Sequence, residues 1–138
     1  QLESIQENLP KLARVRIATN LPVQYAALES LTGPQDYISD FVSELKKRRD
    51  FVVKRLNSIP GLSCPNPKGA FYAFPKIENN KYSSDEEFVL KLLEEKGVLT
   101  VHGSGFGTQY GSSHFRLVYL PSIETLDSAL NKIEEFMS

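Results

Sequence analysis

The sequence predicts an α+β fold: a two-layer small domain whose mainly antiparallel sheet of about three to four strands carries helices on one face, preceded by long interdomain helices. Two observations lead to this prediction. Residues 1–59 show only helical periodicity, and strand patterns begin after them. The strand patterns at 98–101 and 114–120 are joined by a connection too short for a crossover helix, so these strands should pair antiparallel.

Three helices are predicted in the first half of the chain. Apolar residues recur at three- and four-residue steps over residues 2–17, which indicates an amphipathic helix despite Pro10. Asn20 fits the N-cap position of a second helix, and Gly33 lies just past its end. The third and longest helix follows, with an apolar stripe that runs to Ile59 and a charged opposite face.

The second half of the chain mixes strands and helices. The aromatic segment 69–75 is predicted as a strand whose rings belong to the core. Ser84 opens a capping-box pattern, and the helix that follows it should end at Gly97. The glycine-rich stretch 103–107 leads to the next strand, and Ser122 opens the last helix.

Composition excludes several classes of protein. The 138 residues are 41% hydrophobic and carry a formal net charge of −1, which is typical of a globular domain and gives no basic surface field for nucleic acid. The single cysteine, Cys64, excludes an intrachain disulfide framework. No apolar run reaches the ~20 residues that span a bilayer. We therefore expect a cytoplasmic protein without nucleic-acid or membrane partners.

Arg116 is the candidate binding residue. It lies in the otherwise apolar segment 115–120, and no Asp or Glu occurs between Glu95 and Glu124. A guanidinium stays protonated and is costly to desolvate, so it needs an anion or water. The partner is either a ligand carboxylate, held by two parallel N–H···O bonds, or a distant Asp or Glu of the chain itself, or else the guanidinium reaches the rim of the sheet.

The remaining candidates carry little chemistry. Residues 103–107 fail the spacing of both phosphate-binding glycine motifs, so a turn between two strands is the better interpretation. His102 and His114 have no accompanying ligand cluster, which argues against a metal site. Cys64 lies in a proline-rich turn without an activating neighbour. The residues alone thus supply one cationic anchor and no catalytic residue.

Four segments in register resemble the C-terminal part of the class I pyridoxal-phosphate (PLP) aminotransferases, and most of all their archaeal alanine/aspartate branch. These segments are residues 20–24 (NLPVQ), 69–77 (GAFYAFPKI), 97–107 (GVLTVHGSGFG) and 114–120 (HFRLVYL). The resemblance covers essentially the whole chain. It implies fold-type I architecture, in which a large PLP-binding domain precedes a small domain and the enzyme works as a homodimer.

The resemblance also implies domain limits and a reaction. Residues 1–33 correspond to interdomain helices, and residues 34–138 correspond to the small domain. The full-length enzyme of amino acid metabolism would transfer an amino group from L-alanine or L-aspartate to 2-oxoglutarate. Its small-molecule partners would be an amino acid and a 2-oxo acid, and the protein partner of this chain would be the missing large domain.

Site residues follow from the same resemblance. The arginine matching Arg116 grips the substrate α-carboxylate, and the phenylalanine matching Phe71 lines the substrate side of the pocket. The segment matching Asn20 approaches the partner subunit's active site. Arg16 is one residue short of the arginine that binds a distal carboxylate in the aspartate branch, so that role is not assigned to it. His102 replaces a proline that is common in the family.

The cofactor lysine of the family lies in a Ser-x-x-Lys element followed by Gly-x-Arg, and this combined element is absent from the sequence. PLP chemistry needs the protein to supply the imine-forming lysine and a partner for the pyridine nitrogen. We therefore expect a truncated or excised domain that binds no PLP and is inactive alone. The alternative is a non-catalytic small-molecule-binding or dimerisation module that shares the Arg116 anchor.

Overall fold

The computed structural model describes residues 2–15, 18–78 and 81–138, except for the side chains of residues 2–4. The chain divides into two compact units, one up to Ser39 and the other from Asp40 to Ser138. The division falls within the longest helix, whereas the sequence placed the domain limit between residues 33 and 34.

The first unit is helical. Helix α1 spans Leu2–Arg14 and helix α2 spans Leu21–Thr32. The end of the helix predicted over 2–17, including Arg16, lies outside the described residues. Asn20 occupies the N-cap position of α2 as predicted, but through its backbone carbonyl, which accepts the N–H of Val23, and not through its side chain.

Helix α3 spans Asp36–Ser58 and leads from the first unit into the second. The sheets of the second unit are built from very short strands, joined by a 3-10 turn at Gly103–Phe106 and by helices. In chain order its remaining elements are β1 Leu62–Ser63, β2 Tyr72–Ala73, β3 Lys76–Ile77, α4 Asp85–Lys96, β4 Val101–His102, α5 Thr108–Gly111, β5 Phe115–Val118 and α6 Ile123–Met137.

The strands form two antiparallel sheets, β1-β3 and β2-β5-β4, which confirms the predicted fold class. The predicted antiparallel pairing of β4 with β5 is also confirmed, with Val101 opposite Arg116. The aromatic segment 69–75 yields only the two residues of β2. Pro75 has no N–H to donate to a ladder, so it separates β2 from β3.

The core lies between the sheet and the helices. Phe115 and Leu117 of β5 are buried, while Arg116 between them has the opposite orientation because side chains alternate along a strand. The apolar stripes of α3, α4 and α6 pack with these two residues in one cluster. Its members include Val52, Leu56, Phe88, Leu92, Leu126, Leu130, Ile133 and Phe136.

Local capping signals define the ends of α4. The Ser84 hydroxyl accepts the N–H of Glu87 at 3.0 Å, which confirms the predicted N-cap. The Glu87 carboxylate accepts the N–H of Ser83, one residue earlier than a capping box requires. Gly97 ends the helix with φ = 66°, a left-handed conformation that glycine adopts without strain. No helix in the described part of the chain is long and apolar enough to cross a membrane.

Candidate functional site

Arg116 lies on the face of the three-stranded sheet that points away from the helices. Its neighbours Phe115 and Leu117 face the core, so the strand itself turns the guanidinium outward. On β2, Tyr72 pairs with Val118, two residues beyond Arg116. Residues two apart on a strand share a face, so this register makes Tyr72 a diagonal neighbour of Arg116.

Two aromatic rings flank the guanidinium of Arg116. Its Cζ lies 4.2 Å from the ring centroid of Phe106 and 4.5 Å from that of Tyr72. Both distances are well within the range of cation–π attraction. The rings therefore stabilise the positive charge, but they offer no strong hydrogen-bond acceptor for its N–H groups.

No acidic side chain that the structure describes neutralises Arg116. Apart from the side chains of residues 2–4, no residue in the ranges 2–15, 18–78 and 81–138 forms an ion pair or a hydrogen bond with this guanidinium. The Nε atom is buried without a hydrogen-bond partner, whereas the two terminal nitrogens are not buried. The arrangement leaves N–H groups available to a carboxylate that arrives from solution.

The glycine-rich stretch carries Phe106 to its position over Arg116. It forms the 3-10 turn between β4 and β5, which agrees with the predicted turn, and the short helix α5 follows it. Gly103 and Gly111 cross at close range, because a Cβ added to Gly103 would lie 2.3 Å from the Gly111 carbonyl oxygen. Only residues without a side chain allow this crossing.

A buried carboxylate lies beneath the turn. Asp85, in the first turn of α4, is 7% exposed, and its Oδ2 accepts the N–H of Ser104 at 2.7 Å. The Nδ1 atom of His102 lies 3.0 Å from the Ser104 hydroxyl and 4.0 Å from Asp85 Oδ2. Burial alone would raise the pKa of Asp85, but the hydrogen bonds from Ser104 outweigh it and lower the pKa below its usual value.

The two histidines lie in different surroundings. His114 stacks on Phe74 with ring centroids 5.2 Å apart, and its Nδ1 lies 2.8 Å from the Ser112 carbonyl oxygen. His102 belongs to the Asp85 cluster instead. In the described part of the chain, no group of three or more His, Cys, Asp or Glu is placed to hold a metal ion.

Cys64 offers no reactive thiolate. It is 5% exposed, and its Sγ lies 3.4 Å from the carbonyl oxygen of Pro65. Burial raises the pKa of the thiol, which disfavours the nucleophilic thiolate.

The other two predicted site residues are Phe71, which belongs to the second unit, and Asn20, which belongs to the first. The Phe71 ring packs against the core and lies 4.7 Å, between centroids, from the Tyr72 ring that flanks Arg116. Phe71 is therefore one ring removed from the guanidinium. Asn20 belongs to the first unit and Arg116 to the second, so the predicted role of Asn20 stays a prediction.

Sequence reasoning missed three residues of the site. Tyr72 was assigned to the core, but the register of β2 on β5 brings it to Arg116. Phe106 was noted only as part of the glycine-rich turn. Asp85 was noted only as part of a capping pattern, and no local signal connects it with Ser104, 19 residues later. Strand alternation was the one usable signal, and it concerns Tyr72. Because Ala73 is buried, its neighbour Tyr72 points to the opposite face of the sheet.

Two cavities of the second unit lack the groups that PLP would need. A groove of about 750 Å³ between α6 and residues 97–101 is mainly apolar, and Arg116 borders it, but Phe106 and Tyr72 do not. Its one lysine, Lys132, is exposed, whereas a Schiff-base lysine needs desolvated surroundings. A smaller cavity of about 240 Å³ beside Lys46 has no acidic side chain for the pyridine nitrogen. Neither of these two cavities therefore offers the groups that PLP would need, and Arg116 offers an unpaired guanidinium.

The sequence of the chain matches a known protein family. A family model described as aminotransferase class I and II matches residues 3–133. The glutamate-pyruvate aminotransferase AlaA of Haemophilus influenzae is 39% identical over 137 residues, which are 96% of this chain and 33% of that protein. The aspartate/prephenate aminotransferase of Cereibacter sphaeroides is 42% identical over 122 residues, 82% of this chain and 30% of that protein.

Solved structures agree with the sequence comparison. The alanine aminotransferase from Pyrococcus furiosus superposes with a TM-score of 0.88 and is 51% identical, over 99% of this chain and 35% of that one. The aspartate aminotransferase from Rhizobium meliloti gives a TM-score of 0.76 at 36% identity, over 83% of this chain and 30% of that one. The chain spans about a third of the length of these relatives.

Proposed function

The chain belongs to the aminotransferase class I and II family, and from this premise we propose that it is the substrate-carboxylate-binding small domain of a PLP-dependent aminotransferase. Arg116 is the anchor for the α-carboxylate. The observation that carries this proposal is the unpaired guanidinium, whose buried Nε has no partner among the described residues. A structural arginine would be paired with a carboxylate of its own chain.

The energetics of the site favour an incoming carboxylate. A buried donor without a partner costs about 1–3 kcal/mol, and Arg116 Nε is such a donor, while the two terminal nitrogens are accessible to a ligand. Bidentate pairing with a carboxylate forms two charge-assisted hydrogen bonds at once. Phe106 and Tyr72 cover part of the guanidinium, and a lower local dielectric there strengthens its attraction for the anion.

The reaction of the full-length enzyme is part of the same proposal. Relatives are named alanine, glutamate-pyruvate and aspartate/prephenate aminotransferases, which supports transfer of an amino group from L-alanine or L-aspartate to 2-oxoglutarate. When bound in the large domain, PLP supplies the electron sink for this chemistry. Arg116 holds and orients the amino acid by its carboxylate, and the flanking rings keep water from that end of the substrate.

Membership of the family supports three further proposals, on the domain limits, the assembly and the pocket. Residues 34–138 act as the small domain, and residues 1–33 connect it to the large domain. The full-length enzyme is a homodimer in which Asn20 approaches the partner subunit's active site. Phe71 lines the substrate side of the pocket, which its packing on the Tyr72 ring supports.

Replacement of Arg116 tests the proposal. In the full-length enzyme, Arg116→Lys should raise KM for the amino acid by about tenfold or more, because an ammonium group cannot form the bidentate fork. Arg49→Lys is the matched control, since Arg49 pairs with Asp50 on the surface of α3. Steady-state kinetics measure both variants. An unchanged KM in Arg116→Lys would remove Arg116 from the substrate site.

A further inference from the structure

Asp85 is a buried charge whose environment calls for an explanation. It is 7% exposed, although aspartate is rarely buried unless it is paired. No Lys or Arg pairs with it among the described residues, and the nearest cationic candidate is His102, with Nδ1 4.0 Å from Oδ2. The strongest contact of the carboxylate is the backbone N–H of Ser104 at 2.7 Å. Its charge therefore acts mainly on the turn that contains Ser104.

The contacts of Ser104 determine where the turn points. Its N–H donates to Asp85, and its carbonyl oxygen accepts the N–H of Gly107 at 3.1 Å, which closes the 3-10 turn. The base of the turn is held by the Gly103 N–H, which donates to the His114 carbonyl oxygen at 2.8 Å. Because both the N–H and the carbonyl oxygen of Ser104 are hydrogen-bonded, the backbone of the turn fixes the direction in which the Phe106 side chain projects.

Phe106 depends on this backbone for its position. Its side chain is 53% exposed, so burial in the core does not hold it. Its ring contacts are the Arg116 guanidinium at 4.2 Å and the Phe74 ring, edge-on, at 6.1 Å. A turn that moved would carry the ring away from Arg116 and leave the guanidinium free to sample other rotamers.

We propose that Asp85 is a positioning residue for the carboxylate anchor, which it holds in place through the turn at Ser104 and the ring of Phe106. This inference rests on the proposed function of Arg116. A guanidinium already held between two rings loses less conformational entropy when it binds a carboxylate, so the positioning acts on affinity for the substrate. Asp85 does not touch the substrate.

Asp85→Ala in the full-length enzyme tests the effect on binding. We expect KM for the amino acid to rise about three- to tenfold, the cost of ordering one long side chain, with a smaller change in kcat. Glu86→Gln is the matched control, because Glu86 is an exposed carboxylate in the same turn of α4, and it should leave KM unchanged. Asp85→Asn keeps the size of the side chain and one acceptor oxygen, so it should shift KM in the same direction by less.

A double-mutant cycle separates positioning from general destabilisation. Phe106→Leu should raise KM by itself, and adding Asp85→Ala, or Asp85→Asn if the alanine variant does not fold, should raise it no further. This result is expected because the two residues act through one contact. Additive increases in KM would show that Asp85 acts by another route and would overturn the proposal.

The Nε–H resonance of Arg116 provides a readout that does not need activity. In ¹H–¹⁵N NMR spectra of the 138-residue chain, the flanking rings should displace this signal from that of an exposed arginine. Asp85→Ala should move it back toward the exposed position, and Glu86→Gln should leave it in place. A signal unchanged in every folded Asp85 variant overturns the proposal.

The experiments distinguish this inference from the proposed function. If Arg116→Lys raises KM while the Asp85 variants match wild type in KM and in the Nε–H signal, only the positioning role fails. If Arg116→Lys leaves KM unchanged, the anchor function fails, and the Nε–H signal still decides whether Asp85 positions the guanidinium.

Discussion

The guanidinium of Arg116 differs from the arginines of α3 in what surrounds it. Arg48 pairs with Glu44, Arg49 with Asp50, and Arg55 with Asp127 across to α6. These are partly exposed ion pairs, of the kind that contribute ~0–1 kcal/mol to stability. Arg116 has aromatic rings in place of a carboxylate. At the scale of the residue, this difference supports the proposal that Arg116 binds a ligand carboxylate.

Glu87 provides a prediction at the same scale. Its interactions with Lys91 and Ser83 lower the pKa of its carboxyl to about 2, from the usual 4.5. We expect a ¹³C-detected NMR titration of Glu87 to show a midpoint near this value, and Lys91→Ala to raise it. Because the folded pKa is depressed, any stability from Glu87 is present above pH 4.5 and is lost as the pH falls toward 2. A midpoint near 4.5 in the wild-type chain would contradict the prediction.

At the scale of elements, the segment from the 3-10 turn to α5 depends on two glycine backbones in contact. A Cβ on Gly111 would lie 2.0 Å from the Gly103 carbonyl oxygen, a backbone atom that has no alternative rotamer. The N–H of Gly103 is hydrogen-bonded to His114 at the end of the same segment. The geometry that carries Phe106 over Arg116 therefore requires small residues at both positions.

Gly111→Ala tests this crossing. We expect the free energy of unfolding to fall by about 1–3 kcal/mol, because the backbone must shift to relieve the overlap. Gly69→Ala is the control, since a Cβ there would meet nothing within 4 Å, and it should change stability far less. Urea unfolding followed by circular dichroism measures both variants. Equal effects would show that Gly103 and Gly111 do not cross closely in solution.

At the scale of the whole molecule, we propose that the chain holds part of an active site. Arg116, the proposed carboxylate anchor, lies on the outer face of the β2-β5-β4 sheet, and the two cavities described above lack the groups that PLP would need. The helices of the first unit leave large apolar side chains exposed, among them Leu12 at 70% and Leu31 at 80%. These features support the proposal that the chain acts together with a larger cofactor-binding part.

The chain by itself should not transaminate. Incubated with PLP, it should show no imine absorbance and no borohydride-trapped adduct at a defined lysine, because a Schiff-base lysine needs desolvated surroundings. Peptide mapping by mass spectrometry checks the trapping. Reproducible trapping at one lysine would contradict the prediction.

Binding of free amino acids separates this proposal from a stand-alone binding module. The small-domain proposal expects almost no binding of L-alanine to the chain alone, since half of the pocket belongs to the rest of the enzyme. A non-catalytic module predicts binding at millimolar concentration or better through the same Arg116. Isothermal titration calorimetry, with Arg116→Lys as the control, decides between them.

Much of the architecture was predictable from local sequence. The three- and four-residue spacing of the apolar stripes, the Ser84 cap and the stop at Gly97 each depend on residues within one or two turns, so α2, α3, α4 and α6 were found near their observed limits. The observed strands cover only two to four residues each, which is shorter than predicted. Strand β1 was missed because its partner β3 lies 13 residues away. Strand pairing involves two segments of the chain, whereas a local sequence pattern describes only one of them.

The sequence by itself determined the α+β class, the antiparallel pair that carries Arg116, and the isolation of that arginine from acidic residues nearby in the chain. Only the tertiary structure decided that Tyr72 and Phe106 flank the guanidinium and that Asp85 holds the turn at Ser104. The physical reason is distance along the chain. Side-chain periodicity reflects which face of an element is buried, whereas these contacts join elements whose relative placement is set by packing of the shared core.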